Sequence, residues 1–412
     1  MSYLKSVGTT FIYIGAFLAL ITFMPGLPPD VDFEEYSLVY PKKLSGNLGV
    51  NQRLNNAEIL FQGDMKNSRA FASYNGELYT GIEGGHIVKI VENKVVPLVN
   101  IGKECDGLLQ KCSTPLGLKF DSKGFLYVSD GLNGIFKIDV KAKKYEKFIS
   151  SESTVDGKKS LFINSLDVAS NGDIYYSVSS TEITIDEAVY ITMSNPSGRL
   201  IRYNAATKKN EVLLNDLGYP SGVILSENEE FVLVAESLKS QIIKYNIKGS
   251  NANKAETFIE GLPGLPDNIY SDNIGGFLVS LVKYADAEHP QLSQTLAPHP
   301  FLRRMFARLV TVFRAPIKLL APHYPDYARV LVPYVKGFES WLQSSSEIVT
   351  VLRINHAGKI IDAAYGVDER VSGCSSAFIF NEFLWLGFSS QNYISKVPLK
   401  QAFPTLANTS QR

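Results

Sequence analysis

The sequence predicts an all-β chain, a six-bladed β-propeller, with one transmembrane helix at its amino terminus and a helical insertion in the fifth blade. Three observations predict it: one strand motif returns at near-constant spacing, a charge-free apolar run precedes it, and helical periodicity interrupts it once. The repeating unit is a turn, a short apolar strand, a polar turn that often carries Gly, a second strand ending in a small or acidic residue, and a third strand. Units begin at residues 68, 115, 163, 220 and 266, which are 47, 48, 57 and 46 residues apart, the length of a four-stranded blade with its loops. Aromatic and β-branched side chains fill the runs, as in Phe125-Leu126-Tyr127-Val128 and Phe231-Val232-Leu233-Val234. A worn last copy runs from Ser375 through Phe383-Leu384-Trp385-Leu386-Gly387 to Tyr393-Ile394-Ser395. Ala57 to Phe61 most simply supplies the strand that fastens this last blade and closes the ring. A β-sandwich would give similar strand spacing, but not a polar residue at one fixed register in each copy.

The chain in order reads as residues 1–6 cytoplasmic, 7–24 a signal anchor, 25–52 a stalk, 53–400 the propeller with an insertion at 286–345, and 401–412 a tail. Val7 to Met24 carries no charge; Lys5 precedes it and Asp30, Asp32, Glu34 and Glu35 follow. An apolar run of this length is near the lower limit for a membrane span, and its basic side stays cytoplasmic, so the propeller is expected in the endoplasmic reticulum lumen or outside the cell. A cleaved signal peptide is the alternative, but Phe23-Met24-Pro25-Gly26-Leu27 offers no convincing small-x-small cleavage site. With 41 basic residues balancing 41 acidic ones, no net field attracts nucleic acid, which is set aside as a partner. Cys105 and Cys112 share one polar loop and are close enough to bridge in an oxidising compartment, or else stand as two free surface thiols. Cys374 is left over, either buried or reactive. Asn408-Thr409-Ser410 has the form of a glycosylation acceptor, a pattern short enough to recur by chance.

Because the innermost strands of a propeller start around its channel, residues opening equivalent strands face one another there. Aligned by the strand that follows, they are Arg69, Leu116, Asn164, Ser221, Asp267 with Asn268, and Ser375. Oxygen-bearing side chains dominate this ring, and Ca²⁺ takes six to eight oxygens, so Asn164, Ser221, Asp267 and Asn268 can supply part of a shell. Asn, Ser and Asp also make turns where strands begin, a bland alternative at any one position.

At these residues the chain resembles the strictosidine-synthase-like propellers, most closely the adipocyte plasma membrane-associated protein group and more distantly the paraoxonases. The resemblance covers nearly the whole chain; its most specific pieces are Phe162-Ile163-Asn164-Ser165-Leu166, Gly198-Arg199-Leu200, Tyr219-Pro220-Ser221-Gly222-Val223, Phe231 to Glu236, and Gly264 to Ile269. It implies a six-bladed propeller, a type II membrane protein, a Cys105 to Cys112 bridge, and an arylesterase-type hydrolase using a central Ca²⁺ held by a Glu, two Asn and the Asp-Asn pair. Asn164, Asp267 and Asn268 match that pattern as metal ligands; Arg69 stands where the Glu aligns and Ser221 where the second Asn is expected. Ser375-Ser376 lies where the synthase branch places its catalytic Glu, so synthase activity is not expected.

Exchanging carboxylate for guanidinium changes the ring by two charges, and two like charges a few ångströms apart repel by several kcal/mol at an effective dielectric near 20. The expectation is therefore that Arg69 replaces the ion by pairing with Asp267 and donating to Asn164. If the register slips, Arg69 faces solvent and Asp64 or Glu83 stands nearby instead.

Between Ser280 and Ile348 the repeat stops. On a helical wheel Leu302, Met305, Phe306, Leu309, Val310 and Phe313 share one half, and Arg303, Arg304, Arg308 and Arg314 share the other; Pro316 should end or kink the helix. This segment, 301–315, either lies in a membrane interface or covers the channel mouth as a lid, and both favour apolar ligands. His289, His299 and His323 fall in the insertion as candidate general bases, and Cys374 is a candidate nucleophile without a matched His. Two functions compete: a hydrolase of hydrophobic esters or lactones whose Ca²⁺ polarises the carbonyl, and a non-catalytic propeller that binds a ligand, partner or membrane.

Overall fold

A computed structural model describes residues 2–102, 112–342 and 347–409. Six four-stranded antiparallel sheets stand around one axis, and in five of them each strand neighbours the next in sequence. Blade 1 is built from Phe71–Tyr74, Glu77–Ile82, His86–Val91 and Lys94–Asn100, and blade 2 from Pro115–Phe120, Phe125–Asp130, Gly134–Asp139 and Lys144–Ser150. Blade 3 takes Phe162–Val168, Ile174–Ser180, Gly198–Asn204 and Lys209–Leu217, and blade 4 takes Pro220–Leu225, Phe231–Glu236, Gln241–Asn246 and Ala255–Ile259. Blade 5 comprises Gly264–Ser271, Phe277–Tyr284, Val349–Ile354 and Ile360–Gly366.

Blade 6 holds only Cys374–Phe380, Phe383–Phe388 and Ile394–Pro398 from its own region; Glu58–Leu60 arrives from the other end of the chain as its outer strand, pairing Ile59 with Ser395. The first strand of blade 6 also contacts that of blade 1, so the ring closes without leaving a long bare edge.

Burial falls from the axis outward, and the sequence follows it. Every residue of the second strand of blade 4, Phe231–Glu236, is buried, which suits its nearly continuous apolar run; the outer strand of blade 2, Lys144–Ser150, is mostly exposed and carries Lys144, Glu146 and Lys147. Apolar clusters fill the wedges between neighbouring blades, for example Ile224, Leu233 and Ile242 of blade 4 with Val279, Leu352 and Tyr365 of blade 5.

Outside the blades, a helix spans Ser2–Phe23, and its window Ser6–Phe23 is long and apolar enough to cross a membrane. Residues 25–52 are irregular, as expected of a stalk, but they are laid along the propeller as a strap: Glu34 N donates to Asn195 Oδ1 at 2.7 Å and Lys42 N to the Gly261 carbonyl at 3.1 Å. The segment expected as a tail after residue 400 carries Phe403 and Leu406 into the blade 6 core, because two short helices, Leu399–Ala402 and Pro404–Thr409, turn its apolar side inward.

The insertion leaves blade 5 between its second and third strands and returns as two long helices, Pro300–Leu320 and Pro325–Leu342. That connection lies at the same end of the propeller as the openings of the first strands, since antiparallel strands alternate their turns between the two ends.

Candidate axial site

The ring residues sit at a repeated irregularity of the sheet. Pairing between first and second strands slips at Pro115/Gly117, Ile163/Leu166, Pro220/Val223, Pro266/Ile269 and Cys374/Ser376. Leu116, Asn164, Ser221, Asp267 with Asn268, and Ser375 therefore all lie in bulges, which free a residue from the ladder and re-aim its side chain. Blade 1 differs, for its first strand begins at Phe71 and Arg69 precedes it. At Gly222 a Cβ would lie 2.4 Å from the Asp267 carbonyl oxygen, so only glycine allows blades 4 and 5 to approach this closely beside the ring.

Small hydroxyls fasten one blade to the next at the ring. Ser129 Oγ donates to the Asn164 carbonyl at 2.5 Å, Ser177 Oγ to the Ser221 carbonyl at 2.5 Å, and Ser280 Oγ to the Ser375 carbonyl at 2.6 Å. Ser237 Oγ donates to the Pro266 carbonyl at 2.6 Å. Asn164, Ser221 and Ser375 are thus gripped through their own carbonyls, and Asp267 through that of its neighbour Pro266, by the second strand or following turn of the blade before. The polar residue recurring near the end of the second strand was the sequence signal for these bonds.

The charged members are Arg69 and Asp267. Arg69 is half-buried; its Nη2 donates to the Ser389 carbonyl at 3.1 Å, and its buried Nε has no hydrogen-bond partner. Its backbone carbonyl accepts Asn268 Nδ2 at 3.0 Å, which ties blade 1 to blade 5. Asp267 is 9% exposed, and burial pushes its carboxyl up to about 6 although the Arg69 cation pulls it down. Ser375 also lowers it, its hydroxyl lying near the carboxyl without reaching full hydrogen-bond geometry. Burial raises the Tyr219 phenol to about 12 while Arg69 opposes the shift. Tyr219 adopts a left-handed φ of 55°, a strained conformation for an aromatic residue that is common beside functional sites.

The detailed wiring differs from expectation. Among the described residues no direct ion pair joins Arg69 to Asp267; they interact through space while Arg69 is held by the loop of blade 6. Among the described residues no hydrogen bond joins Arg69 to Asn164; Asn164 Nδ2 donates to Ser179 Oγ at 3.0 Å, and Arg69 Nη2 is directed to the Ser389 carbonyl. Ser221 Oγ lies 3.0 Å from Ser237 Oγ and bonds to the Pro266 and Asp267 carbonyls at 3.2 and 3.3 Å. Asp64 is exposed and Glu83 pairs with Lys66, so neither stands in for Arg69.

A Ca²⁺ ion fits this donor set poorly. The ring offers one carboxylate whose proton affinity is already raised, and it fixes a guanidinium within electrostatic reach of it. Calcium sites gain affinity from the count of charged oxygens, and among these ring residues only Asp267 carries a carboxylate.

The remaining candidates lie elsewhere. His289 Nδ1 is 3.0 Å from Asp286 Oδ1, His299 is exposed at the start of the first insertion helix, and His323 is exposed between the two helices; none hydrogen-bonds to a ring residue among those described. Cys374 is a free thiol near the ring, fully buried, and burial raises it to about 12. Asn408 is exposed near the end of the last helix. Cys105 lies outside the described residues, and the expected Cys105 to Cys112 bridge with it.

The insertion covers the ring end of the propeller: Ala307, Val310 and Leu342 pack with Leu116 and Phe162, with Tyr219 at the edge of the cluster. The buried edge of the first insertion helix is Arg303, Ala307, Val310, Arg314 and Ile317, whereas Leu302 and Phe313 are exposed.

Comparisons with known proteins agree with this architecture. A family model described as strictosidine synthase matches residues 164–250. The adipocyte plasma membrane-associated protein Hemomucin of Drosophila melanogaster is 35% identical over 401 residues, covering 95% of this chain and 69% of that protein. The adipocyte plasma membrane-associated protein of Rattus norvegicus is 30% identical over 307 residues, 73% of this chain and 82% of that one. Among solved structures, a gluconolactonase from Xanthomonas campestris superposes with a TM-score of 0.53 at 13% identity, covering 90% of this chain and 99% of its own. A luciferin-regenerating enzyme superposes with a TM-score of 0.51 at 12% identity, covering 83% and 95% respectively. At such identities the two structures speak for the fold alone, a six-bladed propeller. The relatives speak for lineage, and the chain belongs to the adipocyte plasma membrane-associated protein family of strictosidine-synthase-like propellers.

Proposed function

We propose that the chain is a membrane-anchored hydrolase-type propeller that takes hydrophobic esters or lactones at its axial site and polarises their carbonyl with Arg69 instead of a metal ion. The observation that carries this reading is a carboxyl at about 6 set opposite a guanidinium that is not paired with it. A base is most effective when its pKa lies near the working pH, and Asp267 is mostly ionised at neutrality. In the step envisaged, Asp267 takes a proton from water as the water oxygen bonds to the acyl carbon. The developing oxyanion is stabilised by Arg69, whose buried Nε–H lacks a partner. Cleavage of the acyl C–O bond then releases the alcohol, which recovers the proton from Asp267. The apolar cover over the ring supports this substrate class.

The same proposal places Ser6–Phe23 across a membrane, with the acidic strap and propeller on the lumenal or outer side. In that compartment a Cys105 to Cys112 bridge and a glycan on Asn408 are compatible additions. The alternative, a propeller that binds an apolar ligand or partner without turnover, is favoured by Ser221, whose hydroxyl is taken up by a serine and backbone carbonyls.

The deciding experiment is hydrolysis of phenyl acetate and simple aromatic lactones by the purified full chain in detergent, with and without chelator. Chelator-insensitive turnover that disappears in Arg69→Gln and Asp267→Asn is expected. Chelator-sensitive turnover would return the reaction to calcium, and no turnover with or without added Ca²⁺ would leave the binding propeller.

A further inference from the structure

The first insertion helix carries its charges the wrong way round for a helix on a soluble protein. Its arginine-bearing edge is turned into the molecule. Arg303 is 0% exposed and donates to the carbonyls of Met193 at 3.0 Å and Ser194 at 2.9 Å, and also to that of Glu34 in the strap. Arg314 is buried against Glu339 of the second helix and the Asp186 carbonyl. What faces outward is largely apolar: Phe301 is 62% exposed and Leu319 74%, with Phe313 beside them, while the exposed charges are Lys318 on this helix and Asp326, Arg329 and Lys336 on the second. The second helix continues this surface with Tyr327, Val330 and Tyr334, the last of these 75% exposed.

Scattered apolar side chains on a surface need no explanation, but a helix that buries two arginines and, with the helix packed beside it, presents aromatic and aliphatic residues together does. Tyr and Phe on such a face suit the boundary between lipid headgroups and acyl chains.

The position of the hairpin says which surface covers it. The apolar window of the amino-terminal helix ends at Phe23, and the Phe23 ring lies 5.8 Å from that of Phe301. Arg308 Nη1 caps the end of that helix, donating to the Ile21 carbonyl at 3.2 Å and the Thr22 carbonyl at 2.7 Å. The hairpin is thus pinned to the point where the span leaves the bilayer.

We infer that the exposed face of Pro300–Leu320 and Pro325–Leu342 lies in the acyl boundary of the leaflet from which the anchor emerges. The inference rests on the membrane-spanning reading of Ser6–Phe23 and not on hydrolysis. Its inner face packs over Leu116 and Phe162 at the ring end of the propeller, so the axial site sits directly beneath the bilayer and apolar ligands reach it from the membrane rather than from water.

The test uses the full chain reconstituted in phosphatidylcholine vesicles, with an environment-sensitive fluorophore on an engineered cysteine at Leu319→Cys, Val330→Cys, Phe17→Cys or Lys143→Cys. Residue 17 lies in the span, and residue 143 lies in the turn between the last two strands of blade 2, at the opposite end of the propeller. Probes at 17, 319 and 330 should be quenched by acyl-chain quenchers and protected from iodide, with the reverse at 143. If 17 behaves as lipid-buried while 319 and 330 are quenched by iodide like 143, the inference is overturned and the anchor stands. If 17 also escapes the acyl-chain quencher, the spanning reading falls and takes the inference with it. Protection of 319 and 330 from iodide without acyl-chain quenching, together with energy transfer between labelled copies, would assign the face to a second copy and overturn it as well.

Discussion

Changing Asp267 to Asn should stabilise the folded protein at neutral pH, although it removes an anion facing a cation. The carboxyl starts from 3.8 and is raised to about 6 by burial, net of the help it receives from Arg69 and Ser375. The folded state therefore holds this proton more tightly than the unfolded state. Below the unfolded value the carboxyl is protonated in both states and contributes nothing to the difference. As pH rises towards about 6 the unfolded chain releases the proton first, so stability falls; above it the loss is complete. A shift of about two units corresponds to roughly 3 kcal/mol. The amide has no such proton to lose, so Asp267→Asn should match the parent near pH 4 and exceed it by up to about 3 kcal/mol near pH 7.5. Urea unfolding of the chelator-treated full chain across pH 4 to 8, followed by tryptophan fluorescence, measures the difference. A variant less stable than the parent at pH 7.5, with parental stability rising between pH 4 and 6, would refute the reasoning. It would mean that the carboxylate is directly paired or metal-bound.

Two further outcomes follow from the same geometry. Arg69→Glu places a second carboxylate opposite Asp267 and removes the cation, so added Ca²⁺ should raise the unfolding temperature of this variant and leave the parent unchanged, as thermal scans with and without the ion will show. Cys374, fully buried with its thiol raised to about 12, should resist iodoacetamide in the native protein at pH 8 and react after unfolding, which peptide mass spectrometry reads directly; rapid native labelling would mean that the ring is open to solvent at blade 6.

The blades were legible because each repeats one burial pattern. Strand alternation, turn residues and spacing all state the same unit, and the strand at Glu58–Leu60 was the apolar run left over after the last copy was one strand short. The ring register was legible for a related reason: a bulge repeated at one position puts Asn164, Ser221 and Asp267 in equivalent places even though their identities differ. Which atoms bond there was not, because the spacing does not say whether a partner comes from a distant loop or from the adjoining strand. Arg69 is held by Ser389, and Asn164 by Ser179 on its neighbouring strand.

The insertion shows the limit of a helical wheel. The wheel separates Arg303, Arg308 and Arg314 from Leu302, Leu309 and Phe313 without saying which side is inside. That choice is made by acceptors the wheel cannot see: carbonyls at Glu34, Met193 and Ser194 for Arg303, and Ile21 and Thr22 for Arg308. Burying a guanidinium costs several kcal/mol unless its donors are met, and a strap laid across the helix supplies acceptors that water otherwise provides.

The same balance supports the proposal that the ring serves a ligand rather than packing. A ring built for stability alone would place Arg69 in contact with Asp267, or replace both by apolar residues, since a buried pair at ideal geometry or none at all is better than two charges held apart. Instead the Arg69 Nε stays unpartnered, the Asp267 carboxyl stays raised to about 6, and Tyr219 holds a left-handed backbone beside them. Arg69 is held towards the Ser389 carbonyl and the Asp267 backbone is bonded to Ser221, so each is fixed by a partner other than the opposite charge. Stability forgone at one concave cluster, and enforced by the rest of the fold, is the pattern of a site shaped for something that arrives from outside.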